Sequence, residues 1–271
     1  MCRCLQVSTS GFYGWRKREE KIKDTQLRIM IRVIHQESRG TYGSPRITKA
    51  LKKKGLRVGK NKVAAIMREE NIQGIPKKRR WKKRGSPDKL SENLLNRDFY
   101  APAPNEIWVG DITQVSTKDG WLYVAVILDL FSRKVVGLAI DNHMRSDLSL
   151  RALKQAIILR KPSPGLIHHT DQGSQYTCSA YVSKLSQAGL RSSMSRAGDC
   201  LDNAVAESFF GTLKTELTHR YRWESREEAS QQIKDFIYQF YNSHRIHSTN
   251  GDLSPNEAET NFYNSIKSEV A

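Results

Sequence analysis

The sequence predicts an α/β protein, a mixed-sheet core preceded by a small all-α unit, and three observations carry that expectation. Residues 24–75 place apolar side chains at helical spacing. From Ile107 onward, β-rich and helical runs alternate in the order βββαβαβαα, which implies a mixed sheet with helices packed on it. The charge is divided the same way. Residues 1–100 hold 27 Lys and Arg against 9 Asp and Glu, whereas residues 101–271 hold 18 against 19. The expected organisation is a helical DNA-binding region over 1–75, with a helix-turn-helix at about 24–75, then a basic linker over 76–100, then the core with C-terminal helices over 101–271.

In the first region, "DTQLRIMIRVIHQES" sets Leu27, Met30, Ile31, Ile34 and His35 near helical spacing. "TYGSPRITKALKKKG" offers Ser44 as N-cap, Pro45 as first helical residue and Gly55 as stop. "KNKVAAIMREENI" gives a third helix with Val63, Ile66 and Met67 inward. Short helices around a glycine-containing turn form a helix-turn-helix pattern. Its second helix would enter the major groove with Lys60, Asn61 and Lys62 near its N-terminus. The opening "VSTSGFYGWRKREE" reads as the tail of a separate unit. The linker "PKKRRWKKRGSP" carries Lys77, Lys78, Arg79, Arg80, Lys82, Lys83 and Arg84 around Trp81. Cations at that density follow a phosphate backbone, and Trp81 offers a face to a base.

In the core, "IWVGDITQVST", "GWLYVAVILDLFS" and "RKVVGLAID" read as an antiparallel meander. "SDLSLRALKQAIILRK" is a helix, "GLIHHTD" a fourth strand ending in Asp171, "SAYVSKLSQAG" a helix closed by Gly189, and "LRSSMS" a fifth strand. "DNAVAESFFGTLKTE" and "SREEASQQIKDFIYQFYNSHR" follow as helices. In the first of these, Val205, Phe209, Leu213 and Leu217 are spaced by four and form an apolar seam. Glu207 lies about 200° around the axis from Phe209, on the side that also carries Lys214.

Composition narrows the classes. The net charge of +17 points to a polyanionic partner, with nucleic acid ahead of an anionic membrane. No apolar run reaches the roughly 18 residues that span a bilayer, and the N-terminus lacks a secretory core, so a cytoplasmic protein is expected. Cys2, Cys4, Cys178 and Cys200 form no zinc-binding spacing and read as free thiols.

Asp111 sits mid-strand between Val109 and Ile112, where a charge is costly unless it is paired or metal-bound. Asp171 ends a strand, where open sheets present ligands. With Glu207 on a helix, three carboxylates could hold two divalent cations about 4 Å apart, suited to phosphoryl transfer. Oxygen ligands favour Mg²⁺ or Mn²⁺. Periodicity alone does not select these three. Asp129, Asp141, Asp199 and Asp202 compete, each at a turn or helix start.

Fifty-nine residues separate Asp111 from Asp171, and thirty-five separate Asp171 from Glu207. The second interval resembles the D,D-35-E signature of retroviral integrases and many transposases. "WVGDIT", "HTDQGSQY", "DNAVAESFFGTLKTE" and "YNSHRIHSTNGDLSPNEA" together resemble the second-frame (OrfB) transposases of insertion sequence family three, over nearly the whole chain. The resemblance implies an RNase H-like catalytic core in which Asp111, Asp171 and Glu207 are the catalytic metal ligands. It implies that Lys214 contacts substrate DNA, and that His169, Gln175 and Tyr176 support or position groups around the second aspartate.

The implied activity is metal-dependent cleavage at the ends of a mobile element, followed by strand transfer from the freed 3′-OH. Implied partners are double-stranded DNA (terminal inverted repeats and target), further copies of the chain on that DNA, and the upstream-frame (OrfA) protein. In the family the active enzyme is typically a frameshifted fusion to that upstream frame, which carries a leucine zipper. This chain has no heptad zipper and begins abruptly, so it is expected to need that partner for specific end binding. A cytoplasmic, nucleoid-associated location is expected. A non-catalytic DNA-binding regulator leaves the carboxylate-bearing core without a role. An RNase H-like nuclease on RNA–DNA hybrids fits poorly with a helix-turn-helix, because A-form geometry closes the major groove to such a helix.

Overall fold

The structure is a computed structural model that describes residues 8–76, 93–96, 98–195 and 203–270. The chain divides into two compact units, Met1–Pro76 and Lys77–Ala271.

The first unit is helical. Helix α1 spans Thr9–Glu37, and the Ser8 hydroxyl caps it by accepting the Gly11 N–H at 2.9 Å. The segment before Asp24, expected to be the tail of a separate unit, is therefore the start of α1. Polar residues without a breaker continue a helix, and a period search reads only its apolar half. Leu27, Ile31 and Ile34 are buried, while Met30 and His35 are half-buried. Helix α2 spans Ser44–Lys53 and buries Ile47 and Leu51. Gly43, not Ser44, stands at its N-cap, so Pro45 falls one position deeper in the first turn than expected. Gly55 ends it as expected, at a φ of +82° that favours glycine. Helix α3 spans Lys60–Glu69 and buries Val63, Ile66 and Met67, the three residues expected to face inward.

The second unit is built on a five-stranded mixed sheet in the order β3-β2-β1-β4-β5. Strands β1 (Ile107–Thr117), β2 (Gly120–Asp129) and β3 (Val135–Asp141) form the expected antiparallel meander. Strands β4 (Ile167–Thr170) and β5 (Arg191–Met194) are parallel to β1. Helix α4 (Ser146–Arg160), the single turn α5 (Ser174–Thr177) and helix α6 (Ser179–Gln187) cover one face. Their core joins Trp108, Ala125, Ile127 and Ala139 of the sheet to Leu148, Leu153, Tyr176, Tyr181 and Leu185. The opposite face presents Val109, Val115, Val124, Val126 and Leu128, all buried, toward helices α7 (Ala204–Leu213) and α8 (Arg226–Asp235). Helix α9 (Pro255–Val270) ends the chain. Neither α5 nor α9 was picked out individually by periodicity.

Two expectations shift. Strand β4 stops at Thr170, so Asp171 stands just past its end rather than in it. The buried seam of α7 is Ala206, Phe209, Phe210 and Leu213, with Val205 only half-buried. A strict four-residue spacing drifts about 40° per step around an α-helix, so the buried face follows mixed steps of three and four. After α7 the chain makes a π-helical turn over Lys214–Thr218, which also buries Glu216 beside Leu217.

Candidate active site

The first strand supplies the first carboxylate. Asp111 is half-buried, and its Oδ1 accepts the N–H of Ile112 at 2.8 Å. In the parallel pairing of β1 with β4, Val109 stands opposite His169. Asp111 lies two residues beyond Val109 on the same face of β1, and Asp171 lies two residues beyond His169, just past the end of β4. Asp171 is exposed, and its Oδ1 accepts the Gly173 N–H at 2.9 Å, which turns the chain sharply into α5. A Cβ on Gly173 would sit 2.9 Å from that Oδ1 and 2.8 Å from Oε1 of Gln175, so only glycine fits the turn without a shift.

Tyr176 lies on α5, five residues after the second aspartate. It is buried in edge contact with Tyr181, with ring centroids 5.3 Å apart. Its phenol is pushed well above the ordinary range, first by burial, then by the charge of Asp111, by Tyr181 and by the charge of Asp171. The fields of both carboxylates thus converge on one hydroxyl, and its proton stays on.

Helix α7, which packs on β1, carries the third candidate carboxylate. Asn203, its N-cap, is buried and donates from Nδ2 to the carbonyl of Gly110 at 3.5 Å. Residues four apart share a helix face, so Glu207 projects from the side of α7 that Asn203 fixes against β1. Glu207 is half-buried.

The arrangement of the three is open. Among the described residues, the group whose metal-type donors all lie within 4.8 Å is Asp141, His143 and Asp147. Arg151 already pairs with Asp141 and stands 3.9 Å from Asp147, so that cluster is a charge-compensated surface group. Asp129 is buried and accepts N–H bonds from Asn105, Phe131 and Ser132, the turn role that its position suggested. Asp199 and Asp202 lie outside the described residues.

The other residues singled out from the sequence divide by location. His169 is fully buried, its ring nitrogens meeting Ser193 at 2.8 Å and Ser195 at 3.1 Å, which ties β4 to β5. Gln175 donates to the Met144 carbonyl at 3.2 Å and accepts at its own carbonyl from Ser149, so it joins α5 to the start of α4. Lys214 closes α7 and lines a groove. Lys60, Asn61 and Lys62 occupy the exposed first turn of α3, with Lys62 in an ion pair with Asp24 at 3.1 Å. The basic run Lys77, Lys78, Arg79, Arg80, Lys82, Lys83 and Arg84 lies outside the described residues. Cys178 is a free thiol, and Cys2, Cys4 and Cys200 lie outside the description. No helix among the described residues is long and apolar enough to cross a membrane.

Residues 101–200 and 207–261 each match an integrase core domain, and residues 21–80 match a helix-turn-helix-like domain. The chain is 40% identical over 260 residues to the insertion element IS600 uncharacterized 31 kDa protein of Shigella sonnei, covering 94% of this chain and 96% of that one. It is 38% identical over 268 residues to the transposase InsF for insertion sequence IS3A of Escherichia coli, covering 96% and 92% respectively. Among solved structures it is similar to the HTLV-2 integrase catalytic core domain in complex with magnesium, at 19% identity and a TM-score of 0.48, over 59% of this chain and 99% of that one.

Proposed function

Because this chain belongs to the IS3 family of insertion-sequence transposases, we propose that it cuts the ends of its element and joins the freed 3′-OH to target DNA, with Asp111, Asp171 and Glu207 as the catalytic carboxylates. The family is one of DDE-type polynucleotidyl transferases with a helix-turn-helix-like region ahead of an RNase H-like integrase core. The observation that supports the residue assignment is the parallel pairing of β1 with β4, in which Val109 stands opposite His169, two residues before Asp111 and Asp171 respectively, together with the packing of α7 on β1.

The donor set fits a hard divalent cation. All three groups are carboxylates, and none is fully buried. Asp111, Asp171 and Glu207 would hold Mg²⁺ or Mn²⁺, two ions in all, which when bound polarise the scissile phosphate and stabilise the attacking and leaving oxygens. The chain's own part is to aim and exclude. Water attacks phosphorus and the element's 3′-oxygen leaves; that 3′-OH then attacks a target phosphodiester and displaces a second 3′-oxygen. Tyr176 is buried and its phenol is pushed well above the ordinary range, first by that burial, so it packs α5 and is not a nucleophile. Lys214 contacts a phosphate of the bound strand.

The first unit and the basic linker bind duplex DNA, with Lys60, Asn61 and Lys62 toward the bases and the linker cations along the backbone. Terminal inverted repeats and target are the two duplexes, several copies act together on them, and the upstream-frame (OrfA) protein is a further partner. The protein works in the cytoplasm at the nucleoid.

Labelled end DNA with Mg²⁺ tests the assignment. Asp111→Asn, Asp171→Asn and Glu207→Gln should each abolish cleavage and joining and leave DNA binding nearly intact. Near-normal joining by any one of them overturns the trio. A pre-cut end separates the rival classes: a transposase joins it, a nuclease only degrades it, and a regulator does neither.

A further inference from the structure

Beyond the carboxylates, the second unit carries an open groove of about 630 Å³ that contains Lys214. Its walls are the tip of the β1–β2 hairpin and the loop that follows the π-helical turn. The walls are fastened to each other. The Lys118 N–H donates to the Trp223 carbonyl at 3.0 Å, its ammonium pairs with Glu224 at 2.7 Å, and Arg226 donates to the Trp121 carbonyl at 3.1 Å.

Two aromatic faces open along the groove. Trp121 of β2 is 51% exposed and Tyr221 is 48% exposed. The Tyr221 ring lies nearly parallel to that of Trp223, at 16° with centroids 6.3 Å apart. Trp223 is itself buried, and its indole N–H has no acceptor among the described residues. Lys118, Lys214, Arg222 and His219 stand around these rings. A small anion would need the cations and not the rings. An apolar ligand would need the rings and not the cations. A nucleotide strand needs both, a flat face for each base and a cation for each phosphate.

We propose that this groove receives an unpaired stretch of DNA strand, one base stacking on Trp121 and Tyr221 while Lys214 and Arg222 hold the flanking phosphates. The proposal rests on the reading that Asp111, Asp171 and Glu207 act on DNA, and it says where the strand goes next. Val115 shares the Asp111 face of β1 and lies four residues on, about 13 Å away. Lys214 lies about 10 Å along α7 from Glu207. Those reaches correspond to a few nucleotides at about 3.4 Å of rise each. A paired base keeps its faces inside the duplex stack, so the strand that enters must be frayed from its partner.

Binding of the full chain to two duplexes, measured without divalent metal, tests this. One is blunt, and the other ends in a short single-stranded tail carrying 2-aminopurine, whose fluorescence falls on stacking. The parent chain should quench the tail. Trp121→Ala combined with Tyr221→Ala should relieve the quench and weaken binding of the tailed duplex by roughly five- to a hundredfold, with a much smaller loss on the blunt one. Trp121→Phe should keep most of both, which separates a stacking face from a misfolded hairpin. An unquenched tail with the parent chain, or equal losses on the two duplexes, overturns the proposal. Failure of the catalytic reading shows elsewhere, as joining retained by Asp111→Asn, and does not touch the quench.

Discussion

Lys214 stands seven residues after Glu207, nearly two full helical turns, so both side chains leave α7 on one side. As a cation it is no metal ligand, and in the proposed reading its use is to hold a phosphate. Lys214→Ala should slow joining without changing metal binding. Lys214→Arg should retain part of the rate, because a phosphate contact accepts either cation better than none. Lys214→Glu should be slowest, since it adds a negative charge beside the phosphate and the carboxylates. Joining rates for the three variants at fixed Mg²⁺ decide the matter; a flat series means a solvated lysine. At this scale the carboxylates were legible only in part. Asp111 stood out as a charge within a strand, and Asp171 as a strand end. Choosing Glu207 over its competitors needed the family spacing, because one helical carboxylate looks like another. Trp121 and Tyr221 were not legible at all. They are a hundred residues apart in sequence, and the hairpin's pairing to a distant loop is what brings them to one groove.

Elements were legible where period and breakers agree, and were lost where the helix changes its pitch. The π-helical turn over Lys214–Thr218 adds a residue to the turn and rotates Glu216 inward. There Arg245 meets it with both arms, at 2.9 and 2.8 Å, and both side chains are buried. Nothing in the local sequence marks Glu216 as buried, since it follows Lys214 and Thr215 and reads as polar surface. The partner comes from "YNSHRIHS", a stretch the sequence marked as distinctive without a reason. The reason is now physical. Arg245 fastens the end of α7, and Asn242 of the same stretch bonds the backbone of Val135 on edge strand β3 through both amide atoms, at 3.0 Å each. Arg245→Met should therefore cost about 3–5 kcal/mol, because it strands a buried carboxylate. Glu216→Leu combined with Arg245→Met should recover much of that loss, as apolar replacements of buried pairs often do. Denaturant midpoints for the single and double variants test it; a double variant no better than the single would mean that the pair matters through its geometry rather than its charge.

At the scale of the whole chain, charge is divided between a strongly basic region and a nearly neutral one, and the proposed reading divides DNA affinity and catalysis the same way. The core holds 18 cations against 19 carboxylates over residues 101–271, so its net field toward DNA is weak. Residues 1–100 hold 27 cations against 9 carboxylates. Some of those carboxylates are already satisfied within the helical unit: Asp24 by Lys62 and Arg28, Glu70 by Arg32. The large remainder favours an outside polyanion. Each phosphate neutralised releases condensed counterions, so the logarithm of affinity falls roughly linearly with the logarithm of salt, with a slope of about −0.9 per contact on B-form DNA. A chain of residues 1–95 should then bind duplex DNA with a steep salt slope. Residues 100–271 alone should bind poorly at every salt, and the intact chain should show the slope of its N-terminal part. Gel-shift titrations of the three at several salt concentrations measure this. Equal binding by residues 100–271 would sink the division, and it would move the main DNA-holding surface onto the core.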